Sequence, residues 1–142
     1  MSLLIGTNIS ATLLASPIIT ASVGDRVFPL AYLYNQGESV RYPFVIYDGL
    51  NIEESRTKDG SFVESTRISL TSAAKTYDEA VDLANKVRHV LEYGTLVDTE
   101  DVELTGVEAV GSSAYYDDAN ECYVVSVDYE VSSIEHVDYG IQ

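Results

Sequence analysis

The fold is decided by residues 62–91, which read FVESTRISLTSAAKTYDEAVDLANKVRHVL. From Phe62 to Leu70 the apolar residues mostly share one parity, which predicts a strand over 62–73 with one buried face. Residues 76–79, TYDE, then match the capping box, in which threonine and glutamate side chains satisfy the first amides of a helix. Apolar residues follow at helical spacing, so the segment predicts a strand that leads directly into a helix over about 77–92.

The sequence before this segment predicts one helix and two further strands. An apolar stripe over residues 1–15 favours a helix that ends before Pro17, because the residue before a proline disfavours helical backbone. Residues 26–30, RVFPL, and 42–47, YPFVIY, are rich in strand-forming side chains. Residues 53–61, EESRTKDGS, are polar and end near an Asp-Gly turn signal, which predicts a protruding hairpin.

The sequence after it predicts two more strands, over 102–110 and 123–131, with a polar link at 115–121. In the last strand, apolar residues alternate with polar and acidic ones, so its outer face is acidic. Residues 135–142 are predicted to be a flexible tail. At 142 residues the whole chain fits one domain.

The composition is typical of a soluble globular domain, with 46% hydrophobic and 22% charged residues. The N-terminal apolar run is interrupted at Gly6 and has no basic residue before it, so it does not resemble a signal peptide. No uninterrupted stretch approaches the ~20 apolar residues of a membrane span. We therefore expect cytosolic synthesis and no membrane partner.

The charge is distributed very unevenly along the chain. The first 88 residues hold all eight Lys and Arg and ten acidic residues, a net charge of −2. The remaining 54 residues hold thirteen acidic residues and no base, a net charge of −13. Such a segment repels the phosphate backbone, which argues against specific DNA binding.

No sequence pattern indicates catalysis or a cofactor. His89 and His136 have no partner at metal-ligand spacing, and the single Cys122 indicates a half-buried small residue, not a nucleophile. Neither a Gly-x-Ser-x-Gly elbow nor a glycine-rich phosphate loop with lysine occurs. We therefore predict that the protein is not an enzyme.

One acidic cluster leaves an alternative open. A loop containing Asp117, Asp118 and Glu121 could bind a hard cation, although the Asp-x-Asp-x-Asp-Gly spacing is absent. A charge run is more often a solvated turn, so these residues remain a secondary metal-site hypothesis.

The order of the segments resembles the tail-completion and tail-terminator family of long-tailed bacteriophages and their prophage relatives, the group similar to the lambda tail terminator. The resemblance is carried by the N-terminal helix and by four segments: GDRVFP at 24–29, YPFVIY at 42–47, RISL at 67–70 and YDEAVDLA at 77–84. These are packing motifs, and they cover roughly residues 3–92.

The resemblance implies an α+β fold in the order α-β-β-β-α-β-β. Its sheet would be mostly antiparallel with four or five strands, and two helices would pack on one face. It further implies an assembly protein of the virion tail, made in the host bacterial cytoplasm. Such a protein forms a homo-oligomeric ring, such as a hexamer, that caps the tail tube and helps join tail to head. The implied partners are the tail tube protein and a head-completion protein, while DNA passes through without specific binding.

A ring needs contacts between unlike surfaces of neighbouring subunits, and a DNA channel favours an acidic lining. Tyrosine is favoured at protein interfaces, and the polar hairpin protrudes. The interface candidates are Glu53, Glu54, Arg56, Lys58, Asp59, Tyr42 and Tyr47. The channel-lining candidates are Asp117, Asp118, Glu121, Asp128 and Glu130.

Two other functions fit the same sequence features. Another neck or head-completion protein would share the assembly role but bind on the portal side. A small ligand- or metal-binding α+β module would instead use the acidic cluster at 117–121.

Overall fold

The computed structural model describes residues 5–29, 41–56, 62–100 and 102–135, without the side chains of 49–64 and 135. The elements in chain order are α1 (Ile5–Leu14), α2 (Pro17–Val23), β1 (Val27–Pro29), β2 (Phe44–Arg56), β3 (Phe62–Ala74), α3 (Tyr77–Tyr93), β4 (Val102–Asp117) and β5 (Cys122–Glu135). The predicted α+β class is confirmed.

The five strands form one sheet in the order β1-β2-β3-β5-β4. Every neighbouring pair is antiparallel except β1 and β2, which run parallel over three residues. The mostly antiparallel sheet expected from the sequence is therefore confirmed. The register of β4 against β5 shifts twice, between Leu104 and Gly106 and between Ala109 and Gly111. Such irregularities bend a strand and increase its twist.

All three helices pack on one face of the sheet, which we call the covered face. The apolar stripe of each helix meets alternate residues of β2, β3 and β5, so a single main core forms between the layers. Its largest fully buried side chains are Ile5, Ile9, Leu13, Ile19, Val23, Val45, Ile68, Leu70, Leu83, Leu91 and Tyr129.

The sequence predicts two helices, but the described residues contain three. The extra helix is α2, which the sequence assigns to an irregular connection. Pro17 stands at its first turn, where proline needs no amide partner and already has helical φ. Ile19 and Val23 lie four residues apart and are fully buried in the main core. The proline that ends α1 therefore also begins α2.

The threonine half of the predicted capping box is present at the start of α3. The Thr76 hydroxyl accepts a hydrogen bond from the Glu79 amide at 3.2 Å, and two acidic residues lie in the first turn. The helix ends at Tyr93, where the Gly94 amide donates to the Val90 carbonyl at 2.9 Å. None of the described helices combines the length and hydropathy that a membrane span needs.

Two buried polar side chains of α1 fix the connection between α3 and β4. The Asn8 side chain donates through Nδ2 to the backbone carbonyls of Val97 and Val102 at 3.1 and 3.0 Å. The Thr12 hydroxyl accepts from the Val97 amide at 2.9 Å and donates to the Asn8 carbonyl at 2.8 Å. The N-terminal helix therefore holds the start of β4 across more than 80 residues of sequence.

Three strands continue well beyond their predicted ends, and β3 exceeds its own by one residue. β2 continues to Arg56, so Glu53, Glu54 and Arg56 lie in a paired strand, while residues 57–61 lie outside the described part of the chain. β4 continues to Asp117, so the predicted link at 115–121 is wrong at its first three positions. β5 continues to Glu135, the first residue of the tail predicted over 135–142, and residues 136–142 lie outside the described residues.

Candidate functional surfaces

On the second face of the sheet, which we call the open face, the apolar cluster contains no helix residue among those that the structure describes. Phe44, Ile46, Ala73, Cys122 and Val124 form this second cluster where β2, β3 and β5 lie side by side. Phe28 and Tyr42 pack against the cluster at its edge. One end of the open face is therefore apolar without help from the helical layer.

The other end of the open face is polar and hydrogen-bonded between strands. The Ser69 hydroxyl donates to Asp128 Oδ1 at 2.5 Å, and the Ser65 hydroxyl donates to Glu130 Oε1 at 2.7 Å. Asp128 and Glu130 are both half-buried. The structure thus places these two channel-lining candidates side by side on the open face, with their orientation fixed by serines of β3.

A third carboxylate joins this group and was missed by the sequence analysis. Asp48 pairs with Ser69, which pairs with Asp128, so the two acids stand two strands apart, about 10 Å. Burial, and then repulsion by Asp128, raise the pKa of Asp48. The predicted strand stopped at Tyr47, whereas the parity of Phe44 and Ile46 in the longer β2 puts Asp48 on this face.

The acidic character extends to the neighbouring row of the sheet. Arg67 of β3 pairs with Glu130, and Glu130 pairs with Glu108 of β4. Directly opposite residues of antiparallel strands share one face. The polar end of the open face therefore carries four acidic residues, Asp48, Asp128, Glu130 and Glu108. Arg67 is the one basic residue among the paired residues named here. The acidic outer face predicted for β5 is present in the structure.

The other three channel-lining candidates lie at the turn between β4 and β5. Asp117 Oδ1 accepts from the amides of Ala119 and Asn120 at 3.1 and 3.2 Å, and Asp117 Oδ2 accepts from the Asn120 side chain at 2.8 Å. These hydrogen bonds, that of the Asn120 side chain foremost, lower the pKa of Asp117. Asp118 and Glu121 are exposed beside it. Asp117 therefore closes the turn with both of its carboxylate oxygens.

The structure does not bring all five acidic candidates together. Cys122 pairs with Asp117, and Asp128 lies six residues further along β5, about 20 Å away. Within the described residues, no group of three His, Cys, Asp or Glu side chains is arranged to hold a metal ion. The turn and the open face are thus two separate acidic surfaces.

The two tyrosines proposed as interface residues lie on opposite faces of the sheet. The Tyr42 ring is 5.2 Å from that of Phe44, and Lys75 Nζ lies 4.5 Å above it, a cation–π contact. Tyr47 instead packs against the main core, where a Cβ on Gly6 would stand 3.0 Å from Tyr47 Cε2. Tyr42 belongs to the open face and Tyr47 to the covered face.

The charged interface candidates belong to the far half of β2. Glu53, Glu54 and Arg56 pair with Ser65, Glu64 and Phe62 of β3. Lys58 and Asp59 lie outside the described residues. β1 pairs only with Val45 to Tyr47, so in the described part of the chain β2 has one strand neighbour beyond that point.

The far edge of the sheet holds a further surface that the sequence analysis did not single out. Among the described residues, no strand pairs with the outer side of β4. From Val110 to Tyr116 every β4 residue is exposed, although Gly111 to Tyr116 each pair with a residue of β5 on the inner side of the strand. A groove of about 560 Å³ lies between this half of β4 and α3. A fully exposed strand shows no alternation, which is why sequence periodicity could not reveal it.

The chain matches the family described as Tail completion protein gp17 over residues 7–132. No curated protein matches the chain in sequence. Among solved structures, the fold is similar to a chain described as "Virion of native gene transfer agent (GTA) particle", with a TM-score of 0.69. The match covers 91% of this chain and 93% of that chain at 16% identity, which establishes likeness of fold.

Proposed function

The chain belongs to the tail completion protein gp17 family, and on that premise we propose that it caps a phage tail tube as an oligomeric ring and helps join tail to head. The observation that carries this proposal is the family match, which runs from α1 into β5 and so includes both layers of the fold. The role requires complementary surfaces and no catalytic step.

In this proposal the polar end of the open face lines the channel through which DNA passes. Asp48, Asp128 and Glu130 give that face a negative potential, which disfavours adhesion of the phosphate backbone. Their hydrogen bonds to Ser65 and Ser69 hold two of the carboxylates in place. The helical layer then lies on the outside of the ring.

The turn between β4 and β5 supplies a second acidic surface at the end of the sheet. Asp117 shapes the turn, while Asp118 and Glu121 are exposed. We assign this surface to the channel mouth. The far half of β2, with Glu53, Glu54 and Arg56, and the neighbouring Lys58 and Asp59 are assigned to contacts with adjoining subunits or with tail and head proteins. Tyr42 and Tyr47 remain interface candidates on the two faces.

The assignment to a virion is supported by the likeness to a chain from a gene transfer agent particle. We propose that the protein is assembled in the host cytoplasm and resides at the head-proximal end of the tail. Its partners there are further copies of itself, the tail tube protein and a head-completion protein.

Electron microscopy of the chain mixed with its tail tube protein tests the capping role. We expect tubes with a ring at one end that no longer lengthen when more tube protein is added. Tubes that stay uncapped and keep growing would contradict the proposal. Co-purification with the portal-side protein instead of the tube protein would favour another neck protein.

The channel assignment has its own test in the assembled ring. Asp128→Lys with Glu130→Lys should make capped tubes retain short duplex DNA at low salt and release it as salt increases, because phosphate contacts are strongly salt-dependent. The matched control is Asp25→Lys with Glu100→Lys, which makes the same charge change at exposed positions outside the sheet. Equal retention of DNA by both double variants would contradict a channel-lining role for the open face.

A further inference from the structure

The outer edge of β4 contains a segment without charge in a strongly acidic chain. The eight residues from Ala109 to Tyr116, AVGSSAYY, include no charged side chain, whereas the chain as a whole carries a net charge of −15. Seven of the eight are exposed, and the exposed fraction of the apolar Val110 is 43%. We call these residues the edge strip. Natural proteins usually protect such an edge with lysine, proline or a covering loop, since its backbone groups can pair with another strand.

A groove opens directly beside the edge strip on the covered face. Tyr77, Val81 and Arg88 of α3 form one wall, and the edge strip forms the other. Val125 and Val127 of β5 lie at its floor. Arg88 is paired with Glu92 one helical turn away, so the only lining cation among these residues is already neutralised. The groove lining is mixed, with apolar side chains such as Val81 and Val127 and polar ones such as Asn85 and Ser112. An accessible strand edge beside a groove is the arrangement used to bind an extended strand, whose alternate side chains enter the groove.

We propose that the edge strip is the seam between subunits, where a strand of a second copy of this chain adds to β4 and inserts side chains into the groove. This inference rests on the proposed ring. Because the strip is uncharged, it is the part of the β4 edge where two equally acidic chains approach with least repulsion. An oppositely charged partner would gain nothing there.

If the open face lines the channel, the two edges of the sheet are the surfaces available for contacts between subunits. With the open face toward the channel and the helices outside, neighbouring subunits meet at the two ends of the strand order. The strip at the β4 end then faces the β1–β2 end of the next copy. Contacts between unlike edges can repeat around a ring, as a closed heterologous assembly requires.

The partner is identified by placing a photo-crosslinker, p-benzoylphenylalanine, at Val110 and irradiating the capped tubes. A covalent dimer of this chain is the expected product, recognised by its mass. Crosslinking of this chain to tube protein alone, or capped tubes without a chain–chain product, would overturn the inference while leaving the capping role intact. A chain that neither caps tubes nor self-associates would overturn both.

Hydrogen exchange and a charge variant test the same seam without a label. Amides of residues 109–116 should exchange more slowly in capped tubes than in the free chain, because new ladder hydrogen bonds form. Val110→Glu should weaken association between copies by about tenfold or more, since it places a like charge at the seam. Ile18→Glu is the matched control, an apolar side chain that is 49% exposed on α2. Equal weakening by both variants, or unchanged exchange at 109–116 on assembly, would overturn the proposal.

Discussion

The covered face and the open face of the sheet are built from alternate residues of the same strands, yet the buried apolar residues extend much further along the covered face. On the covered face, helices α1, α2 and α3 bury the apolar side chains of β3 and β5 in one core. On the open face, apolar packing ends after the second cluster, and hydroxyl and carboxylate groups continue. Burial on one face secures the strands, so the other face can carry charge that does not help folding.

The pKa of Asp48 shows that this division has an energetic consequence. Burial and repulsion by Asp128 both raise the pKa of Asp48, so its ionised form is disfavoured in the folded protein. A face optimised for stability would avoid this arrangement. The cost is consistent with a function for the acidic surface, as in the proposed channel.

The largest expected difference between the two faces is in their response to truncation. Leu83→Ala should lower the free energy of unfolding by about 2–5 kcal/mol, because Leu83 is 98% buried between α3 and the sheet. Ser126→Ala on the open face should cost about 1 kcal/mol, since it removes a weak hydrogen bond with Thr71. Urea denaturation measures both values. Equal losses would contradict the division between the faces.

The next largest loss of stability is expected at the buried hydrogen bonds between α1 and the start of β4. Asn8→Ala should cost about 1–3 kcal/mol, because it leaves the carbonyls of Val97 and Val102 without their donor. Asn85→Ala, at an exposed position of α3, is the control and should be close to neutral. A similar urea midpoint for both variants would show that Asn8 does not hold the start of β4.

A smaller loss is expected at the start of α3. Thr76→Ala should cost about 1 kcal/mol, because the Glu79 amide loses its acceptor at the helix terminus. Thr76→Ser keeps the hydroxyl and should retain most of the stability. Thermal unfolding compares the three proteins, and a loss of equal size in the serine variant would point to the methyl group instead of the cap.

The smallest effect is expected on the open face, and its sign is opposite. Asp48→Asn should stabilise the fold at neutral pH, because it removes a carboxylate whose pKa is raised in the folded state. The folded protein binds the proton more tightly than the unfolded chain, so this gain is present above the raised pKa. It fades as pH falls through that pKa and disappears below the ordinary value of 3.8. Urea midpoints across this pH range measure it.

A double-variant cycle separates the two causes of the Asp48 shift. In an Asp128→Asn background the stabilisation by Asp48→Asn should be smaller, because the repulsion is already gone. The part that remains reports burial alone. A gain that is unchanged by Asp128→Asn would indicate that the two carboxylates do not interact.

The elements with strong local signals could be predicted from the sequence. The capping box at Thr76 and the spacing of Leu83, Val87 and Leu91 define α3 to within one residue of its observed end. The alternation in β5 likewise predicted that Asp128 and Glu130 share one face. Both signals work because one side of each element is buried and the other is wet.

The elements that sequence reasoning missed have no such one-sided pattern. The helix α2 has only seven residues, and its Pro17 was interpreted as an end signal alone. The outer half of β4 is exposed on both faces, so no alternation distinguishes Gly111 to Tyr116, beyond the predicted strand end at Val110, from a loop. Asp48 was missed for a related reason, since its place on the open face depends on how far β2 continues. Pairing partners, not local composition, decide these positions.

The single cysteine of the second cluster gives the open face a built-in reporter. Cys122 is fully buried, and burial raises the pKa of its thiol, so the native protein holds it protonated and shielded from alkylating reagents. Modification of Cys122 therefore requires the side chains of the second cluster to move apart and expose the thiol. The rate of thiol labelling then measures how often that end opens, independently of the helical layer on the other side of the same strands.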